Sequence, residues 1–534
     1  MSHDQRTKRF TLLACILGSA IVFLDGTVVN VALPALQSDL DAGLAAQQWV
    51  VEAYMLTLSS LLLVGGSLDD LFERRTVFAA GVVAFGATSM LCAVAPNVEL
   101  LIAARAVQGV AGALLVPSTL ALIIHTFPPE ERGAAIGSWT AWTGIATVVG
   151  PLAGGALIDN ASWRWIFAIN AVPVTITIWL IARHVPKSAE PPAGGDVDFL
   201  GGLLCAFGLG GTIFALIEQP RMGWGDPLVV GTFLGGLACL ALFLLHERRS
   251  PAPMLPLSLF RLRNFAVGNV TTLAMYAGLG AMLFLLGLYV QQVAGYSALA
   301  AGASFLPVTA LMFLLSKRFG ALADRYGPRL FMAGGPVIAG AGMLLMLRVT
   351  EDADYVTELL PALIVFGIGL SLVVAPLTAA VLAAVDDSRS GIASGVNNAV
   401  SRVAGLLAIA VLGTFISAQF GSSLDEKLAG RPLDSAGRAA VETARERPLA
   451  VASPADAPPA ERQALEAASR DASVDAFHLG MGISAVITIS GGLVALVGIR
   501  NPRRRIHAED CPGGQICGAP EQVGQVAEPV GAAT

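Results

Sequence analysis

Long apolar segments separated by short polar loops fill most of the chain between residues 10 and 499. A transmembrane helix needs about 20 predominantly apolar residues to cross roughly 30 Å of hydrocarbon. By that measure the pattern predicts an all-α integral membrane protein with fourteen spanning helices. The predicted spans are residues 10–34, 48–68, 76–95, 99–124, 133–158, 164–183, 199–217, 227–245, 265–290, 299–316, 330–347, 357–384, 392–418 and 477–499.

The composition agrees with a membrane location. Of 534 residues, 55% are hydrophobic and only 13% are charged, which is more apolar sequence than one soluble core can bury. The formal net charge of −6, with Lys and Arg in short loop clusters, excludes the basic face of a nucleic-acid-binding protein. The sequence contains no nucleotide-binding loop, metal-ligand spacing or paired catalytic His/Cys set, so we expect no cofactor, no metal and no enzymatic activity.

Lys and Arg are distributed unevenly between the two sets of loops. If the N-terminus is inside, the inward loops and termini carry about twenty-one of them. The short outward loops carry about three, namely Arg164, Arg221 and Arg348. Because short cytoplasmic loops hold the excess of positive charge, the sequence predicts a multi-pass protein of the cytoplasmic membrane with both termini in the cytoplasm.

Two segments lie outside the predicted spans. The segment at about 421–475 is rich in Ala, Pro, Glu and Arg and has no hydrophobic stripe. We therefore expect it to be a flexible extracytoplasmic insertion. Residues 506–534 are expected to form a disordered cytoplasmic tail.

One polar pattern occurs twice at equivalent places. GSLDDLFERR at 66–75 lies between spans 2 and 3, and GALADRYGPR at 320–329 lies between spans 10 and 11. These loops correspond only if two six-span halves are separated by two extra spans. The predicted organisation is therefore 6+2+6, with residues 1–185 and 264–505 as the halves and residues 186–263 as linkers and the inserted pair.

The repeated pattern resembles the inner-loop signature of the major facilitator superfamily, and the chain looks like its fourteen-span drug:proton antiporter family of multidrug exporters. Four other stretches agree in order and position: LDGTVVNVALP at 24–34, RAVQG at 105–109, GPLAGG at 150–155 and GVNN at 395–398. The resemblance implies a bacterial membrane protein whose two pseudo-symmetric halves rock about a midplane site.

Asp25 is the main candidate for proton coupling, because an ionisable side chain at membrane depth is costly. At 1.5 Å per residue, Asp25 lies roughly 14 Å below the outer end of span 1, and Arg105 lies about 10 Å below that of span 4. The two charges are thus at comparable depth. They form a proton-coupling pair, or a permanent structural ion pair, or make no contact. In related transporters the span-4 arginine is assigned to conformational coupling near the proton site, which supports Arg105.

Glu52 lies only about 5 Å inside the outer end of span 2 by the same count. There it is expected to reach interfacial water. Two interpretations remain open: Glu52 attracts a cationic substrate, or it is an ordinary solvated acid at a helix end.

The two inner-loop signatures supply candidates for conformational change. Their charges can pair across the loop or cap a neighbouring helix end, and such contacts must break when the halves rock; alternatively, they only enforce topology. Leu71 and Glu73 replace the expected Arg and Gly, which puts the first copy in doubt. The candidate residues are Gly66, Asp70, Arg74, Arg75, Gly320, Asp324, Arg325, Gly327 and Arg329.

Spans 4 and 5 supply further candidates. Gln108 and Gly109 follow Arg105 in its motif, and Gly150, Pro151, Gly154 and Gly155 combine a helix kink with close backbone approach. Glycine-rich packing alone is the alternative. The resemblance associates the span-5 pattern with exporters, although Ala146 stands where the first glycine usually does.

We therefore expect a proton-coupled antiporter that uses the proton gradient to export hydrophobic or cationic small molecules, as in multidrug or antibiotic efflux. The expected partners are such a substrate, protons and the lipid bilayer, without nucleic acid. The alternatives are a facilitator-type transporter of one metabolite, peptide or lipid, and, more remotely, a membrane receptor or enzyme.

The predicted orientation is testable with single cysteines in a variant that lacks the six native ones. A membrane-impermeant thiol reagent should label Gly225→Cys, in an outward loop, on intact cells. The same reagent should label Ser250→Cys, in an inward loop, only after the membrane is permeabilised. The reverse pattern would contradict the orientation.

Overall fold

Helices account for nearly the whole described chain. The computed structural model describes residues 3–186, 198–251, 253–386, 390–429, 431, 433–451 and 458–501. The membrane-length helices are α1 His3–Leu40, α2 Leu44–Leu71, α3 Arg74–Ala93, α4 Val98–Thr126, α5 Pro129–Asn160, α6 Trp165–His184, α7 Phe199–Met222, α8 Pro227–Arg249, α9 Arg263–Gln292, α10 Ala298–Tyr326, α11 Arg329–Arg348, α12 Tyr355–Leu382, α13 Ser390–Leu428 and α14 Pro459–Gly498.

Length and hydropathy qualify thirteen of these helices for a membrane crossing. Helix α2, with 28 residues, is also long enough, since about 20 residues suffice. The prediction of an all-α membrane protein with about fourteen spans is therefore confirmed. Some helices are interrupted: α6 breaks at Ile169–Asn170 and α10 at Phe305.

Helix packing repeats with an offset of eight helices. In the N-terminal half, α1 packs against α5 and α6, while α2 and α3 both pack against α4. In the C-terminal half, α9 packs against α13 and α14, while α10 and α11 both pack against α12. Helices α7 and α8 pack against each other, and α7 also contacts α2 and α13. The two halves and the inserted pair follow the predicted 6+2+6 order.

The two halves meet at the end of the molecule that carries the α1–α2 turn, which we call the closed end. There Gln48 of α2 donates a hydrogen bond to the backbone oxygen of Ile409 in α13 at 2.8 Å. On the other side, the carboxylate of Asp159 in α5 accepts from the backbone amides of Ala298 and Leu299 at 3.0 and 2.9 Å. Asp159 therefore caps the N-terminus of α10 from the opposite half.

Toward the other end, called the open end here, α5 and α10 separate. Helix α5 contacts the first two turns of α10, Ala298–Ser304. Further along α10, the side chains of Phe313 and Leu314 are 80% and 63% exposed, and on α5 Trp142 is 55% exposed. The halves thus lie together at the closed end and diverge toward the open end.

Glycines make the close contact between α5 and α10. A Cβ atom on Gly155 would lie 2.5 Å from the Cα atom of Leu299, and one on Gly302 would lie 2.5 Å from the backbone oxygen of Pro151. Neither position can hold a larger residue without separating the helices. The glycines of the span-5 motif therefore form part of the closed end.

The expectation of a flexible insertion at 421–475 is wrong for its described parts. Helix α13 continues to Leu428, a short helix covers Ser435–Arg445, and α14 begins at Pro459. The apolar pattern detected only the membrane portions of α13 and α14. Ala, Glu, Gln and Arg are strong helix formers, so both helices continue as polar extensions.

This helical insertion contacts the closed end. The amide of Leu44 donates to the backbone oxygen of Glu446 at 3.2 Å, and Arg447 forms an ion pair with Asp41. Leu449 is fully buried. These contacts connect the insertion of the C-terminal half to the α1–α2 turn of the N-terminal half.

The cap supplied by Asp159 predicts a measurable effect on the closed end. Asp159→Ala should raise the thiol-labelling rate of Ala301→Cys, a fully buried position beside it, several-fold, because the α5–α10 contact loses its polar clamp. Asp226→Ala is the matched control, since Asp226 caps α8 within the inserted pair through the amide of Leu228 at 2.7 Å. Equal labelling rates in both variants would contradict this role of Asp159.

Candidate functional site

Asp25 lies in the interior of the N-terminal half, where α1 passes between its neighbours. Its side chain is fully buried and forms an ion pair with Arg105 of α4, whose side chain is 1% exposed. The possibility that the two residues do not touch is therefore excluded. Comparable depth in the same half had left the contact open, and the structure contains it.

Arg105 is held by contacts from three helices. Besides Asp25, its guanidinium donates to the backbone oxygen of Val50 in α2 at 3.1 Å and to the amide oxygen of Gln108, one turn further along α4, at 2.9 Å. The guanidinium carbon lies 4.1 Å from the ring centroid of Tyr54. These acceptors and the aromatic face together fix the orientation of the Arg105 guanidinium.

The second oxygen of Asp25 accepts neutral hydrogen bonds. Gln108 Nε2 lies 3.1 Å and Asn170 Nδ2 3.4 Å from Asp25 Oδ1. Asn170 also donates to Ser89 Oγ at 3.0 Å, and Ser89 donates to the backbone oxygen of Phe167 at 2.9 Å. Asp25 is thus connected to α3, α4 and α6. The break in α6 falls at Asn170.

These partners compensate for the burial of the Asp25 carboxyl group in this conformation. A buried carboxylate is costly unless it is paired and hydrogen-bonded, and here both oxygens are satisfied. Protonation would weaken the contacts with Arg105, Gln108 and Asn170 together. The network can therefore convert a change of charge at Asp25 into a change in how α1, α4 and α6 pack.

Sequence reasoning did not identify Ser89, Asn170 or Tyr54 as members of this network. Asn170 could have been identified from the sequence, because an amide side chain in an apolar span is uncommon and needs a hydrogen-bond partner. The contributions of Ser89 and Tyr54 depend on the relative rotation of α2, α3 and α6, which no single-helix pattern contains.

Glu52 departs from its expected environment. Its side chain is fully buried, and neither carboxylate oxygen has a hydrogen-bond partner among the described residues. The expectation that Glu52 reaches interfacial water is wrong, because the neighbouring Gln48 and Trp49 bind α13 and α7 and Glu52 itself is fully buried. Glu52 therefore differs from Asp25, whose carboxylate is fully paired.

The final arginine of each inner-loop signature caps the last helix of its own half. Arg75 donates to the backbone oxygen of Ala182 near the end of α6 at 3.5 Å, and Arg329 donates to that of Leu496 in α14 at 2.6 Å. Cations are favourable at helix C-termini, where carbonyl groups lack intrahelical partners. Helix capping, one of the two roles expected for these arginines, is therefore present in the structure.

The remaining signature residues occupy different surroundings. The side chain of Asp70 lies outside the described residues, and Arg74 begins α3. Asp324 is exposed, and the guanidinium of Arg325 lies 5.4 Å from the ring centroid of Tyr326. The nearest heavy atoms to a Cβ on Gly66 or on Gly320 lie 3.6 Å away, in Pro117 and Ala375 respectively, so neither glycine is required by packing.

The two signature loops use different turns. Gly327 ends α10 with φ of +89°, a conformation that favours glycine. The equivalent Glu73 has φ of −60° and lies at the N-terminal cap of α3, so no glycine is needed there. Its carboxylate accepts from Thr76 Oγ1 at 2.9 Å, and an acid is favourable at this helix end. The departure at Glu73 is thus structurally accommodated.

Glycines also bring helices together around the Asp25 network. A Cβ on Gly109 would collide with the backbone of α2 at Tyr54, and one on Gly154 would collide with Val28 of α1. At Gly150, a Cβ would lie 3.0 Å from the backbone oxygen of Leu24. The motifs of spans 4 and 5 therefore pack α4 against α2 and α5 against α1.

Comparison with known proteins agrees with this architecture. The family model of the Major Facilitator Superfamily matches residues 15–409. A puromycin resistance protein of Streptomyces alboniger is 38% identical over 76% of this chain and 80% of its own length. A probable actinorhodin transporter of Streptomyces coelicolor is 35% identical over 83% of this chain and 79% of its own length.

The fold has solved counterparts. A bacterial homologue of the human lysosomal transporter Spinster, in an inward-facing and unoccupied conformation, superposes with a TM-score of 0.63 at 16% identity, covering 93% of this chain and 99% of that one. At this identity the likeness concerns the fold alone. With the family model, the curated relatives and the repeated helix packing in agreement, the chain belongs to the Major Facilitator Superfamily of transporters.

Proposed function

We propose that this transporter is a proton-coupled antiporter that exports hydrophobic or cationic small molecules, antibiotics among them, across the bacterial cytoplasmic membrane. The observation that carries the proposal is the fully buried Asp25–Arg105 pair, with Gln108 and Asn170 on the second carboxylate oxygen. Relatives named for puromycin resistance and actinorhodin transport support the substrate class.

With the orientation predicted from the loop charges, the closed end faces outward and the open end faces the cytoplasm. In this inward-facing state Asp25 is ionised, and a substrate enters from the cytoplasm or the inner leaflet. Rocking of the halves then breaks the contacts of Gln48 and Asp159 and opens the outward side. Proton binding to Asp25 there exchanges with substrate release, and the protonated form returns to the inward-facing state.

Arg105 provides the link between the proton and the helices. It donates both to Asp25 and to the backbone of α2 at Val50. Neutralising Asp25 removes the strongest partner of a buried cation, so the position of Arg105 between α1 and α2 must adjust. Val50 lies only two residues from Gln48, which holds α2 against α13 at the closed end.

Proton coupling is tested with the protein in vesicles under an imposed pH gradient. Asp25→Asn should abolish substrate-driven proton movement, because this site can no longer change its charge. Asp39→Asn is the matched control: Asp39 is also on α1 and pairs with an arginine, Arg164, at 2.6 Å, but it is half exposed. Proton movement that continues undiminished in Asp25→Asn would contradict the assignment.

Export itself is tested in cells with a fluorescent dye and a panel of antibiotics. Efflux should include several unrelated hydrophobic or cationic compounds and should stop when an uncoupler dissipates the proton gradient. Export that resists the uncoupler would contradict proton coupling. Export of only one compound would favour a transporter dedicated to a single metabolite.

The stability of variants distinguishes a titrating pair from a permanent one. Asp25→Leu leaves Arg105 buried without its counter-charge, which costs about 3–5 kcal/mol. Asp25→Asn keeps an acceptor oxygen and resembles the protonated state of the cycle, so its melting temperature in detergent should fall much less. Equal losses in the two variants would indicate a purely structural ion pair.

A further inference from the structure

We propose that Glu52 is a second proton-binding acid, one that must be protonated before the closed end can shut. Proton binding from the outward side would then drive the change from the outward-facing to the inward-facing state. The inference rests on the proposed antiport function and its orientation, and it gives the closed end its own dependence on pH. It assigns a role to an acid that the Asp25 network does not use.

Glu52 lies on the face of α2 that closes against the C-terminal half. Residues four apart lie on the same helix face, so Glu52 lies between Gln48 and Leu56. Gln48 binds the backbone of α13 at Ile409. Leu56 packs against the buried cluster that contains Leu209 of α7 and Leu406 of α13. The carboxyl group is therefore placed at the contact between α2 and α13.

Glu52 has the burial of a core residue and the chemistry of an acid. It is fully buried, and both of its carboxylate oxygens lack hydrogen-bond partners within the described part of the chain. An ionised carboxylate in that position would lose its hydration without receiving any compensation. The neutral acid has far less solvation to lose. The closed arrangement is accordingly compatible with protonated Glu52 and disfavours the carboxylate.

The charged groups on the helices packed against α2 are engaged elsewhere. On α1 and α4, Asp25 and Arg105 pair with each other. On α7, Glu218 accepts from Trp49 Nε1 at 3.1 Å and pairs with Arg221 at 3.0 Å.

Helix α13 contributes one cation, Arg402, about two turns from Ile409 toward the open end. It is close enough to Tyr54 of α2 to interact with it electrostatically, and it donates no hydrogen bond to Glu52 in this conformation. On α3, Arg74 and Arg75 lie at the opposite end of the bundle. Among the described residues, therefore, no cation replaces the proton at Glu52.

The sign of the pH effect follows from this placement. When α2 and α13 separate, Glu52 meets water and ionises; when they close again, it must take up a proton. Acid on the outward side therefore favours closure. The other acids at the closed end predict the opposite sign, because protonating Asp41 or Asp159 weakens contacts with Arg447 or with the start of α10.

Glu52 and Asp25 thus carry different charges in the same conformation. Asp25 is ionised because Arg105, Gln108 and Asn170 satisfy its oxygens, whereas Glu52 is neutral because nothing does. A proton taken up at Glu52 from outside accompanies closure. One linked proton changes the closed-to-open ratio by up to about tenfold per pH unit.

The test measures the distance across the closed end as a function of pH. Spin labels on Ala46→Cys and Ala418→Cys, near the closed ends of α2 and α13, are introduced into full-length protein that lacks native cysteines and is reconstituted in lipid. This protein also carries Asp25→Asn, so that Asp25 contributes no pH response of its own. With Glu52 intact, acidification should increase the short-distance population. Glu52→Gln, a neutral isostere, should give the short distance at every pH, and Glu52→Asp should restore a pH response.

Glu218→Gln is the matched control, since Glu218 is a neighbouring acid that already has partners. The pH response of this variant should equal that of the labelled protein with Glu52 and Glu218 intact. The proposal is overturned if Glu52→Gln keeps the pH response of the labelled protein with Glu52 intact. It is also overturned if acid lengthens the distance between the two spin labels. Those outcomes leave Asp25-dependent proton movement in vesicles unaffected. Conversely, export that resists an uncoupler would reject the antiport function while leaving the pH response of the closed end in place.

Discussion

The buried ion pair between Asp25 and Arg105 is the interaction on which the rest of the N-terminal half depends. A carboxylate and a guanidinium are tolerated out of water only when both are completely paired. Helices α1, α2, α4 and α6 supply the groups that pair them. Arg105 extends the constraint to α2 through the backbone of Val50. On the same helix Gln48 contacts the C-terminal half. A change of charge at one carboxylate therefore reaches the surface where the halves meet.

The closed end is built from contacts that can break and form again. Backbone approach at Gly155 and Gly302, the cap from Asp159 and the hydrogen bond from Gln48 lie beside a buried apolar cluster that contains residues of both halves. Between α5 and α10 the approach is backbone to backbone at these glycines, so the two helices can separate there without displacing a large side chain. In the proposed role of Glu52, closure of this end also depends on the protonation of its carboxyl group. The helical insertion adds the ion pair between Arg447 and Asp41.

Hydropathy and repetition predicted most of the architecture from sequence. The repeated loop at 66–75 and 320–329 located the inserted pair. The rise per residue placed Asp25 and Arg105 at comparable depth but did not decide whether they touch. Depth counted along one helix failed for Glu52, because its burial comes from α7 and α13, which are distant in sequence. The partners of Asn170 likewise lie on helices distant in sequence, so a count along α6 could not identify them. The insertion escaped detection because its helices are mostly polar and place only a few apolar residues, such as Val441 and Ala444, against the core. The fit of Glu73 could not be predicted, because its loop uses a turn that needs no glycine.

The central claim is that Asp25 exchanges its proton for substrate. The direct measurement is proton release from purified protein in weakly buffered detergent solution when a transported compound is added at a pH where part of the protein is protonated. The unmodified transporter should release protons on binding, and Asp25→Asn should bind the compound while releasing fewer. If both proteins release the same number of protons, or neither releases any, Asp25 is not the site of exchange.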